Sequence, residues 1–353
     1  MLFALPDDDT LYAALLARDA GYDGRAWVCV TSTGIFCRLT CPARKPLRAN
    51  CVFHDTVAAC LGAGFRPCRR CHPLGSGSDP TVAALLRALD EAPDKRWSEA
   101  DVTTLGLDPS TARRAFRRQF GMTFLDMARM RRLGRGLSAL CGGGQVIDAQ
   151  LDAGFASASA FRAAVARLTG WAPGSFVRDA LLRADWIATP LGDMVAVASA
   201  SHLHLLEFAD RPALRAELAV LRREARGDFG FGTHPPTTAI RADLDAYFSG
   251  RGATFATPLA TGGSDFARTV WQALRAIPPG QTRSYSDIAA QIGRPTATRA
   301  VARANGANRI ALAIPCHRVI GADGSLTGYG GGLWRKRHLI EIERGYGTAQ
   351  TAP

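Results

Sequence analysis

The sequence predicts a multidomain α+β protein of four consecutive segments, and three observations carry that prediction. Seven of the nine cysteines crowd into the first 71 residues. Residues 78–185 follow a helical period with repeated cap signals. Beyond 186 the pattern changes to strand-like alternation, then to a Gly- and Pro-punctuated module around one more cysteine. A chain of 353 residues exceeds what one core normally serves, at roughly 100 to 200 residues per domain. Its 47% hydrophobic and 21% charged content excludes a mostly disordered chain or a fibre. No apolar run approaches the ~18 residues of a membrane helix, and the start MLFALPDDDT places acids where a leader would be basic, which points to the cytoplasm.

The 43 basic and 31 acidic residues leave a net charge of +12. Their distribution is uneven: residues 1–77 carry 9 and 6, 78–185 carry 15 and 12, 186–264 carry 7 and 8, and 265–353 carry 12 and 5. A basic excess concentrated in the last quarter and absent from the third makes double-stranded DNA the first partner to expect, because clustered Lys and Arg release its condensed counterions.

Within residues 1–77, the spacing Cys37-x3-Cys41 followed by Cys68-x2-Cys71 lets each pair reach one ion. Reduced thiols in this arrangement read as a zinc site, four thiolates at about 2.3 Å filling a tetrahedral shell. His54 and His72 are read as non-ligands, since the shell is already complete. Arg38, Arg44, Lys45, Arg48, Arg66, Arg69 and Arg70 surround the pairs, more positive charge than a structural knot needs. The stretches TGIFCRLTCPARKPLRANCVF (33–53) and GFRPCRRCHP (64–73) resemble the Ada adaptive-response family. That resemblance implies a module in which the first cysteine, Cys37, is both zinc ligand and methyl acceptor for DNA methylphosphotriesters, with Arg44, Arg66 and Arg69 toward DNA.

Residues 78–185 follow the GSGSDP linker (75–80), where Asp79 and Pro80 read as cap and first turn of a helix. Two helix-turn-helix units are expected, with second helices near Pro109 to Phe120 and near Ser157 to Leu168. Gly154 ends one helix and Ser157 caps the next. Arg113, Arg114 and Arg117 on the first recognition helix are DNA-contact candidates; eight Arg face one acid, Asp126, between 113 and 135. FRRQFGMTF (116–124) and FRAAVARLTGWAP (161–173) resemble the tandem DNA-binding region of AraC-type regulators. Gly134, Gly136 and Gly142–Gly144 are expected to interrupt the connecting helix. The second recognition helix offers only Arg162 and Arg167, so it is expected to bind DNA weakly.

Residues 186–264 read as a small α/β module: strand-like runs MVAVAS and HLHLLEF, then a helix from about Pro212 to Glu224. His202 and His204 alternate onto one face without a third ligand and are read as surface histidines.

In residues 265–353, the run IALAIP delivers Cys316 next to His317 between turn signals. Periodicity alone leaves Cys316 either a small core residue or a nucleophile. PCHRV, with Asn308 before it and Tyr329 after it, resembles the O6-alkylguanine-DNA alkyltransferase active site, and VWQALRAIPPGQTRSYSDIAAQIGRPTATRAVARANGANR (270–309) extends the resemblance. This stretch also reads as a helix-turn-helix, capped by Ser284, with helices near Asp287 to Ile292 and Thr296 to Ala304.

The resemblance implies a winged-helix-like alkyltransferase module in which Cys316 accepts the alkyl group. It implies that His317 takes the thiol proton through a water and is oriented by Glu343, the family spacing favouring Glu343 over Glu341. It further implies base flipping, with Arg299 filling the vacated stack, Tyr285 helping the 3′ phosphate rotate or protonating the guanine, and Asn308 as a hinge. Taken together, the resemblances imply a single-turnover methylated-DNA–protein-cysteine methyltransferase with one zinc ion. They also imply a methylation-triggered activator, acting as a monomer on promoter DNA with RNA polymerase as a partner. The rival is a zinc-containing AraC-type regulator without alkyltransferase activity.

Overall fold

The computed structural model describes residues 5–22, 26–55, 59–60, 63–68, 70–71, 73 and 79–349. The chain divides into two compact units, Met1–Ala88 and Leu89–Pro353. In the first, Asp7 accepts from the amides of Asp9 and Thr10 and so starts the helix Asp8–Ala17, whose Leu11, Ala14 and Leu15 are buried. Four short strands, β1 (Trp27–Val30), β2 (Ile35–Arg38), β3 (Cys51–His54) and β4 (Arg66–Pro67), form one sheet in the order β3-β1-β2-β4. Strand alternation sends Val28, Val30 and Cys37 into a core with Leu11 and Leu15, and Trp27, Cys29 and Phe36 into a second cluster with Cys60.

The second unit begins with its helix-turn-helix pairs, most of their helices capped by a side chain at the start. Ser98 and Asp101 form a capping box for Glu99–Thr104, Asp108 caps Pro109–Phe120, and Thr123 with Asp126 boxes Phe124–Cys141. Val146–Asp152 and Ala158–Thr169 form the second pair, the latter capped by Ser157.

A four-stranded sheet follows: β5 (Leu182–Ile187), β6 (Met194–Ala198), β7 (Leu203–Phe208) and β8 (Phe229–Phe231), ordered β7-β6-β5-β8. The helix Leu214–Glu224 lies between β7 and β8 in sequence. Strand β5 begins at Leu182, ahead of the 185/186 boundary read from the sequence. Its charged residues disguise it: Asp185 is buried, but Arg241 Nη2 donates to its Oδ2 at 2.8 Å.

Both faces of this sheet are covered, which explains the uninterrupted burial of β6. One face, through Met194, Ala196, Leu206 and Phe208, packs with Leu244 and Tyr247 of the helix Pro235–Phe248 and with Trp271 and Ile314 of the C-terminal region. The other, through Trp186, Val195, Val197 and Leu205, packs with Leu133, Leu137, Phe161 and Val165 of the helix-turn-helix region.

This second contact corrects the expectation for two glycines. The helix Phe124–Cys141 runs unbroken through Gly134 and Gly136 and ends at Gly142. Each mid-helix glycine costs roughly 1 kcal/mol relative to Ala, and close approach accounts for both. A Cβ on Gly134 would lie 2.4 Å from Asp193 Oδ2 and 2.6 Å from Trp186 Nε1. One on Gly136 would lie 2.4 Å from the Ala149 carbonyl oxygen.

The C-terminal region adds the helices Asp265–Arg275, Tyr285–Gln291 and Thr298–Gly306, with Ser284 and Asp287 forming a capping box. The recognition helix therefore starts two residues after the expected Thr296. β9 (Arg283–Ser284) pairs in parallel with β10 (Val319–Ile320), and the helix Leu333–Ala349 closes the described chain. Among the described residues no helix is long and apolar enough to cross a membrane.

The close approach at Gly134 makes a prediction of sign. Gly134→Ala should lower stability by about 1 to 3 kcal/mol through overpacking, where a free helix would gain roughly 1 kcal/mol. Thermal melts of the two full-length proteins read the difference directly, and a raised Tm would mean the helix does not bear on the sheet.

Candidate active site and metal centre

The backbone that presents Cys316 is pinned to the sheet. Ala311 N donates to Leu206 O at 2.7 Å and Leu206 N to Arg309 O at 2.9 Å, so the apolar run is anchored on β7 but turns rather than extending as a strand. Buried Leu312 takes a left-handed φ of 64° within that turn, a conformation that costs a non-glycine residue roughly 1 to 2 kcal/mol and that tight packing sustains. Cys316 then opens a short 3-10 turn, Cys316–Arg318, and is only 6% exposed.

Asn308 orders this turn with one amide. Its Nδ2 donates to Ile314 O at 2.9 Å and to Cys316 Sγ at 3.2 Å, while its Oδ1 accepts from Ile310 N at 2.9 Å. Burial pushes the Cys316 thiol up to about 11, and the Asn308 bond opposes that rise.

His317 is fully buried, with Nε2 at 2.7 Å from Glu343 Oε1. Glu343 also accepts from Arg318 (Nε 2.7 Å, Nη2 2.8 Å), the Tyr247 hydroxyl (3.0 Å) and Gly280 N (3.3 Å). Burial alone would raise its carboxyl, but His317 and Arg318 outweigh it and hold Glu343 down at about 2. Burial lowers His317, and Glu343 counters. His317 Nδ1 has no hydrogen-bond partner among the described residues. Glu341 is exposed on the same helix, so geometry separates the two glutamates that sequence leaves adjacent.

Tyr285 is half-buried and donates to Thr327 O at 3.4 Å; Arg299 stands exposed in the first turn of its helix. Sequence reasoning missed three contributors. Tyr247 and Arg318 converge on Glu343. Lys336 is fully buried, donates to Val319 O and Thr327 O, and is pulled down to about 8 by burial. Arg318 could have been found as part of PCHRV. Lys336 sits in a basic run, WRKRH, that reads as a solvated face.

In the first unit, the parallel pairing of β4 with β2 brings the two cysteine pairs together: Phe36 lies opposite Pro67, and Cys68 N donates to Phe36 O at 3.0 Å. The sulfur atoms of Cys37, Cys41, Cys68 and Cys71 lie within 4.8 Å of one another, with Cys41 and Cys68 at 4.0 Å. Four sulfurs 2.3 Å from one ion would stand about 3.8 Å apart, so a small contraction completes a tetrahedron. Backbone amides already point at sulfur, Arg38 N at Cys71 (3.4 Å) and Arg70 N at Cys68 (3.4 Å), as charge on thiolates requires. Lys45 Nζ donates to Leu39 O and Cys41 O beside the cluster. The donor set fits zinc.

Comparison with known proteins bears on the whole length. The family model for the metal binding domain of Ada matches residues 10–73, a helix-turn-helix domain matches 102–179, and the DNA binding domain of 6-O-methylguanine DNA methyltransferase matches 265–345. The regulatory protein ada of Salmonella typhimurium is 35% identical over 362 residues, covering 96% of this chain and 98% of its own. The chain belongs to the Ada family. The bifunctional transcriptional activator/DNA repair enzyme Ada of Escherichia coli is 34% identical, covering 95% of this chain and 96% of its own. A methylated-DNA–protein-cysteine methyltransferase of Mycolicibacterium paratuberculosis is 58% identical over 106 residues, covering 30% and 64%. A crystal structure of Mycobacterium tuberculosis OGT in complex with DNA aligns at TM-score 0.40 and 41% identity, over 47% of this chain and 93% of that one. The cofactor of this Ada-family chain is one zinc ion, held by Cys37, Cys41, Cys68 and Cys71.

The arginines proposed to face DNA sort into committed and open sets. Arg113 is paired with Glu99, Arg129 with Asp126, Arg131 with Asp90 and Arg135 with Asp94, while Arg132 is buried and lies over the Phe155 ring. Most of the arginines between 113 and 135 therefore have structural partners. Arg114 and Arg117 are exposed on Pro109–Phe120, as are Arg162 and Arg167 on Ala158–Thr169. Arg44 and Arg66 belong to the first unit; Arg69 and His72 lie outside the described residues. His202 is exposed, while His204, expected at the surface, is half-buried with Nε2 3.1 Å from Ser199 Oγ.

Glu343 makes the site acid-sensitive. A carboxyl held near 2, against an ordinary value of 4.5, contributes roughly 3 kcal/mol above the unfolded value, and this is lost as pH falls through the folded one. The stability gap between wild type and Glu343→Gln should therefore be full at pH 7 and close between about pH 5 and 2. Denaturant melts across that range check it, and a pH-independent gap would refute the charge assignment.

Proposed function

We propose that the chain repairs methylated DNA by irreversible transfer of alkyl groups to its own cysteines, and that it also acts as a methylation-activated transcriptional regulator of the alkylation response. In this reading Cys316 accepts from O6-methylguanine and Cys37 from methylphosphotriesters. The observation that carries it is the buried Cys316 thiol, ordered by Asn308 beside the His317–Glu343–Arg318 cluster, in a chain similar end to end to a bifunctional activator and repair enzyme.

The chemistry is an SN2 displacement. The Cys316 sulfur forms a bond to the alkyl carbon as the carbon–O6 bond breaks, and the departing guanine takes a proton, which the Tyr285 hydroxyl is assigned to give. Sulfur suits the step because the thiolate is soft, but burial disfavours the thiolate, so its proton must leave as the reaction proceeds. His317 can receive it: Nε2 is committed to Glu343, which leaves Nδ1 to take the proton through a bridging water. Glu343, ionised at any physiological pH, stabilises the imidazolium that results. The thioether product is no leaving group, so each cysteine acts once.

Tyr285 and Arg299 are assigned to rotating the target nucleotide out of the duplex and filling its place, with Asn308 as the hinge. Arg44, Arg66, Arg69, Arg114 and Arg117 are assigned to DNA contact; Arg113, tied to Glu99, is a weaker candidate than its neighbours. When bound, zinc keeps Cys37 deprotonated and nucleophilic. The reading divides the chain at 1–77, 78–185, 186–264 and 265–353, places it in the cytoplasm as a monomer, and gives the methylated form promoter DNA and RNA polymerase as partners.

Cys316→Ala should abolish removal of O6-methylguanine while zinc content and phosphotriester repair persist. Labelled-methyl transfer with peptide mapping checks this, and residual clearance of O6-methylguanine from duplex DNA would overturn the assignment. At the zinc site, methylating Cys37 changes the formal charge from −2 to −1. One unit charge at about 4 Å is worth roughly 1 kcal/mol in water and several times that at a low-dielectric interface. The methylated protein should therefore bind promoter DNA about 10- to 1,000-fold more tightly, with a salt-sensitive margin. Identical isotherms for the two forms at two salt concentrations would leave Cys37 a structural ligand only.

A further inference from the structure

Arg211 lies where three elements of the C-terminal site meet, and nothing in the alkyl-transfer reading uses it. Its Nη1 donates to Asn308 O at 3.0 Å and its Nη2 to Gly306 O at 3.1 Å, the last turn of the recognition helix Thr298–Gly306. Gly330 lies flat on the guanidinium, since a Cβ there would stand 2.9 Å from Cζ. That contact gives the first glycine after Tyr329 a physical reason: a side chain at 330 would displace the arginine.

The side chain is 8% exposed, and two acids pair with it, Glu207 (1% exposed) and Glu217 at 3.0 Å (12% exposed). A buried guanidinium with two carboxylates is costly to assemble. Only a planar fork reaches two carbonyls and two acids at once, a geometry Lys cannot reproduce.

We propose that Arg211 is the positioning residue that holds Asn308 where its amide meets the Cys316 sulfur, joining recognition helix, hinge and acceptor thiol through one side chain. Asn308 bonds Cys316 at 3.2 Å with its side chain while Arg211 holds its carbonyl. Losing Arg211 frees that carbonyl together with the helix end at Gly306, so the amide no longer has a fixed position. The proposal rests on Cys316 being the reactive thiol, and the test separates the two ideas.

The charges around Cys316 make the readout specific. Arg211 favours its thiolate and Glu207 opposes it, so removing both together leaves the Asn308 bond as the main change. The experiment compares full-length wild type, Glu207→Gln, Arg211→Met/Glu207→Gln and Arg211→Lys. The rate of Cys316 modification by iodoacetamide is followed from pH 7 to 10 by peptide mapping.

Glu207→Gln should shift the profile to lower pH. The double variant, which loses one charge of each sign, should lie above wild type by about one unit, the effect of a lost hydrogen bond to a charged sulfur. That corresponds to a rate roughly three- to tenfold lower at neutral pH, allowing for the higher nucleophilicity of the more basic thiolate. Arg211→Lys should lie between wild type and the double variant, and methyl transfer from O6-methylguanine in duplex DNA should fall in the same order.

A double variant that superimposes on wild type overturns the proposal. So does slowed methyl transfer with an unshifted pH profile, which would make Arg211 structural only. Should the double variant not fold, Arg211→Lys decides alone, and its superposition on wild type overturns the proposal. Wild type that reacts with iodoacetamide but takes no methyl group would sink the alkyltransferase reading and leave the profile comparison standing.

Discussion

A sheet buried on both faces is the constraint on which the second unit depends. β6 has no solvent face, so its residues must satisfy two cores at once: Met194 and Ala196 on one side, Val195 and Val197 on the other. Every neighbour inherits that demand. The helix Phe124–Cys141 gives up a side chain at Gly134 to lie close enough; β7 must end in a form that accepts the Ile310 bridge. Cys316 thus hangs from one edge of an element whose far face supports the helix-turn-helix region.

The polar interior follows a different logic. Glu343 is almost wholly buried and receives donors from His317, Arg318, Tyr247 and Gly280, so its desolvation is offset by donors that converge from separate stretches of chain. The C-terminal helix is thereby tied to the turn that carries Cys316. A core of apolar residues would pack as well there. It would leave the buried His317 ring without a fixed hydrogen-bond partner.

Much of this architecture is legible in the sequence because its signals are local. The caps at Ser157 and Ser284 act within three residues, and the helices begin where those residues stand. The two cysteine pairs likewise carry their own spacing. What stays hidden depends on partners far along the chain. Asp185 reads as the end of a helical region until Arg241, 56 residues on, is seen to neutralise it in a strand. Lys336 looks solvated until its carbonyl partners appear, and Arg211 finds the Asn308 carbonyl 97 residues away. Gly134 and Gly136 mislead for the same reason: glycine is a helix breaker locally, and only a neighbouring surface makes its missing side chain useful.

That surface has a consequence for how such a protein can be cut or recombined. The helix-turn-helix region leaves Leu133, Leu137, Phe161 and Val165 to be covered by strands that belong, in sequence, to the next segment. A fragment ending before Leu182 would carry that apolar face into water, an open patch of the kind that recruits other chains rather than staying monomeric. Exchange of domains between relatives would therefore preserve solubility only if the sheet travels with the helices, and a protease acting near Asp179 would release an adhesive fragment, not a free-standing DNA-binding domain.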